Sequence, residues 1–220
     1  MKSQIIIGII SAFLGSTTGA ALAADMRTCQ IEQISGDKVV LDTTTKQQEW
    51  TEKIVGVARL NIPVTATVET GPDSRVVLLC DDTTTITVGP DTKIVIDDLV
   101  GQAGPEHNIL LRLLQGIVGI VAPNRTWNRF EVETSVAIAS VRSTEWLVES
   151  QTGSGTAVFV AKGMVDVFAT DDRAYVLAAG EGVTLEEAAT NELNTVVPEV
   201  KRWGEKRITQ SRSALGFDWE

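Results

Sequence analysis

The chain has 220 residues, 43% of them hydrophobic, and a formal net charge of −10. That length suits one domain plus processing segments, and that hydrophobic fraction can fill a packed core. The acidic balance argues against nucleic acid, whose phosphates it would repel, and against an anionic membrane surface as the main partner.

The first 23 residues read as a secretory signal. Met1-Lys2 gives a positive start, Ile5–Leu14 an apolar run, and Ala21-Leu22-Ala23 a small-x-small pattern, which places cleavage between Ala23 and Ala24. The apolar run is shorter than the roughly 20 residues a spanning helix needs. No cysteine follows the small residues directly, so a lipid anchor is not expected. Loss of Lys2 leaves 18 basic against 29 acidic residues, a net −11.

Two cysteines remain, Cys29 and Cys80. An even count in an oxidising compartment suits a disulfide. It would close a loop of about 50 residues, worth about 4 kcal/mol in the chain-entropy treatment. The alternative is a buried thiol at Cys80 and a free one at Cys29.

Cys29–Leu41 alternates weakly around Gly36-Asp37, which predicts a hairpin. Asp42–Gln48 reads as a surface loop, and Trp50–Gly56 as a short strand or irregular linker. Val57–Val68 has apolar residues at a period of two, interrupted where Pro63 removes a ladder donor. Glu69–Leu99, ETGPDSRVVLLCDDTTTITVGPDTKIVIDDL, holds three β runs, Arg75–Cys80, Thr83–Val88 and Lys93–Ile96. Polar turns at Asp81-Asp82 and Gly89–Thr92 separate them.

Further on, Gly101–Asn108 is a turn-rich loop with the only histidine, His107. Ile109–Leu114 leads into Gly116–Ala122. Strands follow at Phe130–Thr134, Ser135–Val141, Glu145–Glu149, Thr156–Val160, Met164–Ala169, Ala174–Ala178 and Val183–Leu185. Gly116–Ala122 resembles Gly163–Ala169 at an offset of 47 residues. Stacked β-coils and two similar hairpins both fit that repeat. Glu199–Gly216 predicts an amphipathic helix starting near Pro198, with Trp203 either docking it on the β body or serving a partner-binding arm. The fold expected is all-β, short antiparallel strands in a solenoid-like or sandwich arrangement with a C-terminal helix.

Chemistry is hard to find. His107 has no nucleophile motif near it, so a Ser-His-Asp arrangement is not expected. Zinc ligands lack a recognised spacing, and Asp81-Asp82 and Asp97-Asp98 do not fit a calcium loop. Glu131 and Glu133 share a strand face and read as its solvent side rather than as a glycosidase pair with Glu145 or Glu149. Gly153-x-Gly155 is a turn with no helix after it to cradle phosphate. No cofactor is expected. Arg142, in Arg142-Ser143-Thr144 between two apolar runs, reads as a paired corner residue or a binding residue.

The order of these turns and strands resembles the FecR family of bacterial periplasmic signalling domains. The residues that carry it are Thr70–Val76, Val88-Gly89-Pro90-Asp91-Thr92, Phe130–Thr134, Ala139–Val148, Gly163–Val167 and Leu177–Gly182. The resemblance covers Val57 to Leu185, within a β domain placed at 24–198 and a helical tail at 199–220. Asp82 and Ser143 stand where the family has glycine. The resemblance implies a non-enzymatic periplasmic or secreted module that binds another envelope protein, in signalling. Anti-sigma members carry a cytoplasmic segment and a membrane helix; a cleavable signal in their place predicts no signal transfer across the membrane by this chain alone. The alternative is a carbohydrate- or peptidoglycan-binding module, with Trp50, Trp127, Trp146 and Trp203 as stacking surfaces.

Overall fold

The computed structural model describes residues 29–43, 46–50, 54–56, 60–63, 65–80, 84–98, 108–122, 129–141, 144–187 and 197–216. The described residues fold as two open sheets packed face to face, with one helix on the outside. In chain order the strands are β1 (Cys29–Gly36), β2 (Val39–Asp42), β3 (Gln47–Trp50), β4 (Ile54–Gly56), β5 (Leu60–Ile62) and β6 (Thr67–Thr70). Then come β7 (Arg75–Cys80), β8 (Thr84–Val88), β9 (Lys93–Asp98), β10 (Asn108–Val121), β11 (Arg129–Glu133) and β12 (Ala137–Val141). β13 (Glu145–Gln151), β14 (Gly155–Lys162), β15 (Met164–Ala169), β16 (Ala174–Ala178), β17 (Glu181–Leu185) and β18 (Lys201–Arg202) precede the helix α1 (Glu205–Leu215).

The first sheet pairs β4 and β5 with β1, then runs β1, β7, β8, the second half of β10, β13, β14, β17, β18. The second runs β3, β2, β6, β9, the first half of β10, β11, β12, β15, β16. All these pairs are antiparallel except β10–β11. The alternation read from the sequence decides the inward faces. In β7, Val76, Leu78 and Cys80 are buried while Arg75, Val77 and Leu79 are half-buried. Inward residues of both sheets form one core, with Trp146 and Phe130 edge-to-face at 6.2 Å in its centre. Each such large side chain contributes about 2–3 kcal/mol by leaving water.

The chain repeatedly crosses between the sheets, and this overturns some local expectations. The hairpin at Gly36-Asp37 does not form, because β1 and β2 lie in opposite sheets. Gly36 takes φ +111°, and the Ser74 hydroxyl accepts bonds from the Asp37 and Lys38 amides at 3.1 and 2.8 Å, making an arch instead. The hairpin falls one element later: β2 pairs with β3 through the stretch expected as a loop. The period-two run around Pro63 likewise splits into β5 in one sheet and β6 in the other.

β10 crosses without breaking. Ile109–Leu114 and the stretch from Gly116 to Val121 form one strand kinked at Gly116, φ +96°. Before the kink β10 pairs with β9 and β11; after it, with β8 and β13. Thr92 Oγ1 fills the kink: it donates to Pro90 O at 2.8 Å and accepts the Ile117 amide at 2.9 Å. Thr70 Oγ1 donates to Gly89 O at 2.6 Å and accepts the Thr92 amide at 3.0 Å. The Thr70-Gly71 and Gly89–Thr92 turns therefore meet at one buried junction. The two similar stretches at Gly116 and Gly163 share a positive-φ glycine but fall in opposite sheets.

The tail corrects the helix boundary. α1 begins at Glu205, not near Pro198, and Gly204 is its N-cap. Lys201-Arg202 extends the first sheet beside β17, and Trp203 must stay extended to reach Phe159, on which it stacks at 4.8 Å. Ile117, Leu147, Ala157, Phe159, Trp203 and Leu215 make a second apolar layer between α1 and the first sheet. Arg207 lies over the Trp203 ring at 3.6 Å and reaches Glu149 at 3.3 Å, while Ser211 donates to the other Glu149 oxygen. At the far end Arg75 donates to the carbonyls of Ser213 and Ala214, the cation favoured at a helix C-terminus. Trp203→Ala is expected to cost about 3 kcal/mol, read from urea unfolding, and to expose α1 to trypsin.

Candidate protein-binding face

The outer face of the second sheet changes character across its width. Near β9–β11 it is charged: Arg112 bridges Asp97 at 2.7 Å and Glu133 at 3.3 Å, and Lys93 meets Glu69 at 3.1 Å. In register beyond Glu133 come Ile138 of β12, Phe168 of β15 and Ala174 of β16. Beyond Glu131 come Ser140, Asp166 and Val176. Alternation turns Val165 and Val167 into the core and leaves Met164, Asp166 and Phe168 outside. Met164, Phe168 and Val176 are 63%, 51% and 62% exposed. Three large apolar side chains on adjoining strands leave a cluster that packing among the described residues does not use.

Acidic groups surround this cluster. Asp166 sits between Met164 and Phe168, Asp171 and Asp172 form the β15–β16 turn, and Glu181 lies past β16. Arg173 holds the Asp171 carboxyl below the usual carboxylate range by donating to it, at 2.7 Å from Nε, so Asp171 is ionised at neutral pH. The pairing also raises the Arg173 pKa.

The residues singled out in the sequence lie elsewhere. Cys29 and Cys80 stand directly opposite on β1 and β7, 4.1 Å apart at Cα, and form a buried disulfide. Trp203 is 8% exposed and committed to Phe159 and Arg207. Trp146 is fully buried. Arg142, Ser143, Ala23, Ala24, Asp81, Asp82, His107 and Trp127 fall outside the described residues, as does the side chain of Trp50. Asp97 pairs with Arg112, and Glu131 and Glu133 lie on the outer face, half-buried. No group of three or more potential metal ligands occurs among the described residues, and no described helix is long and apolar enough to cross a membrane. A cleft of about 310 Å³ lies beside α1, lined by Glu149, Gln151, Thr184 and Arg207 among others, and Glu149 and Arg207 bond each other in its wall.

The face at β15–β16 had a sequence signal. Met164-Val165-Asp166-Val167-Phe168 alternates, but both of its phases are apolar, so periodicity alone leaves open which one faces out.

Residues 66–166 match the family model described as FecR protein, a stretch that runs from just before β6 to the middle of β15. The match ends at Asp166, so β16, β17, β18 and α1 lie beyond it. Two solved structures of a candidate anti-sigma factor from Parabacteroides distasonis ATCC 8503 are similar to the chain, at 17% and 16% identity with TM-scores of 0.53 and 0.52. In each, 65% of this chain aligns with 62% of the other. At such identity the likeness is one of fold. No curated protein matches the chain.

Proposed function

We propose that this chain is a non-enzymatic interaction module of the bacterial envelope, periplasmic or secreted, that binds another envelope protein through the β15–β16 face. The observation that carries this reading is the exposed cluster of Met164, Phe168 and Val176 on a sheet face whose β9–β11 end carries the ion pairs of Arg112 and Lys93. The FecR match and the description of the similar structures as candidate anti-sigma factors support a place in signalling. Of the tryptophans considered for glycan stacking, Trp146 and Trp203 are buried and offer no stacking surface.

The test is affinity capture from envelope extracts with the full chain and a Phe168→Asp variant, followed by mass spectrometry and titration against the protein recovered. One envelope protein is expected, bound at least tenfold more weakly by the variant, since a central aromatic anchor is worth about 2 kcal/mol or more. The melting temperature should not change, because Phe168 is outside the core. Binding on a glycan array with no protein recovered would overturn the reading.

A further inference from the structure

β16 is a sheet edge: among the described residues its ladder partner is β15. The Ala169 amide donates to Arg173 O at 2.8 Å. In antiparallel alternation this turns the backbone groups of Arg173, Tyr175 and Leu177 toward β15, and those of Ala174, Val176 and Ala178 away from it. The Ala178 amide shows the outward direction directly, since it donates to the Glu181 carboxylate at 2.9 Å rather than to a strand. Val176, at the centre of the edge, presents an outward N–H and C=O beside a side chain that is 62% exposed. Edges of this kind are commonly blunted by lysine, proline or a bulge, and β16 (Ala-Tyr-Val-Leu-Ala) carries none of these.

We propose that β16 accepts an extended segment of the partner protein as an added strand, and that this segment alternates apolar residues with Lys or Arg. This rests on the interaction reading above. The main-chain groups of Ala174 and Val176 supply the ladder, and the small side chains of Ala174 and Ala178 leave room for apolar residues flanking Val176. Charge selects the other positions. Asp166 lies in register with Val176, one strand in, within reach of a long cationic side chain on the added strand. Asp172 and Glu181 add carboxylates at the two ends, while Asp171 is neutralised by Arg173. Of the nearby cations, Arg173 is engaged with Asp171 and Lys162 with Glu145 at 3.5 Å, while Arg202 lies beside Gly180 past the Ala178 end of the edge, away from Asp166. An acidic segment would be repelled.

The test uses the full chain and two fluorescent ten-residue probes, one alternating Val with Lys and one alternating Val with Glu, followed by anisotropy. The Val/Lys probe is expected to bind at least tenfold more tightly. Val176→Pro removes only the outward amide and no bond to β15, so it should weaken this binding at least tenfold and leave the thermal melt in place. Asp166→Lys should reverse the preference between probes. Equal binding of the two probes, or undiminished binding by Val176→Pro, overturns the proposal. So does a dimer of the chain that Val176→Pro dissolves, since the edge would then serve a second copy. If Phe168→Asp loses the captured envelope protein while Val176→Pro keeps it, the face binds but not by strand addition. If neither variant matters, the interaction reading fails as well.

Discussion

Gly116→Val is expected to leave little folded protein. Gly116 holds φ +96° where β10 passes from one sheet to the other. A Cβ there would lie 2.2 Å from Thr92 Oγ1 and 2.4 Å from Thr92 Cα. The second contact is with backbone, so a rotamer change cannot relieve it. Thr92 cannot retreat either, because its hydroxyl holds the Ile117 amide and its own amide is held by Thr70. The backbone conformation costs a side-chain-bearing residue about 2 kcal/mol and the overlap about 3 more, together roughly 5 kcal/mol. That is comparable to the whole stability of many domains. Urea unfolding and yield of soluble protein would measure it. Gly204 is the contrasting site: a Cβ meets nothing within 4 Å, and Gly204→Ser should change stability by less than about 0.5 kcal/mol, with a gain if the hydroxyl caps α1.

Replacing both cysteines by alanine is expected to cost about 4 kcal/mol. The bridge spans 51 residues, and the chain-entropy treatment gives that value for a loop of this length. For a chain of this size the loss corresponds to a melting temperature lower by roughly 8–16 °C. The bridge joins directly paired residues of β1 and β7, both buried, so the fold itself is expected to persist. A melt of the double variant beside the oxidised protein checks the figure. Agreement within about 1 °C would mean that the denatured chain gains nothing from the missing link.

The β content was legible because alternation and turn residues are local. Arg75–Cys80, Met164–Ala169 and Ala174–Ala178 have the bounds the residues suggest. The sheet assignment was not legible. Gly36-Asp37 looks like a hairpin turn, and only Ser74, distant in sequence, makes it an arch. The helix start failed for a related reason. Pro198 is a good local signal, but pairing of Lys201-Arg202 with β17 and stacking of Trp203 on Phe159 outweigh it. The binding face was hardest to see, since Val165 and Val167 obscure which apolar phase is surplus. Trp203 drew notice as an aromatic in a charged tail, and that notice was apt for packing: its ring is what seats the helix.

Residues 205–215 are fastened at one end by Arg75 of β7 and at the other by Glu149 of β13. Those two grips lie 74 positions apart in the chain, and the helix lies 139 positions beyond the first at their greatest separation. Synthesis delivers both grips well before the segment they hold. Leu147, Ala157 and Phe159 therefore stand without their helical cover while the tail is still being made. Without the helix those side chains are exposed apolar surface, and docking of the helix is what covers it.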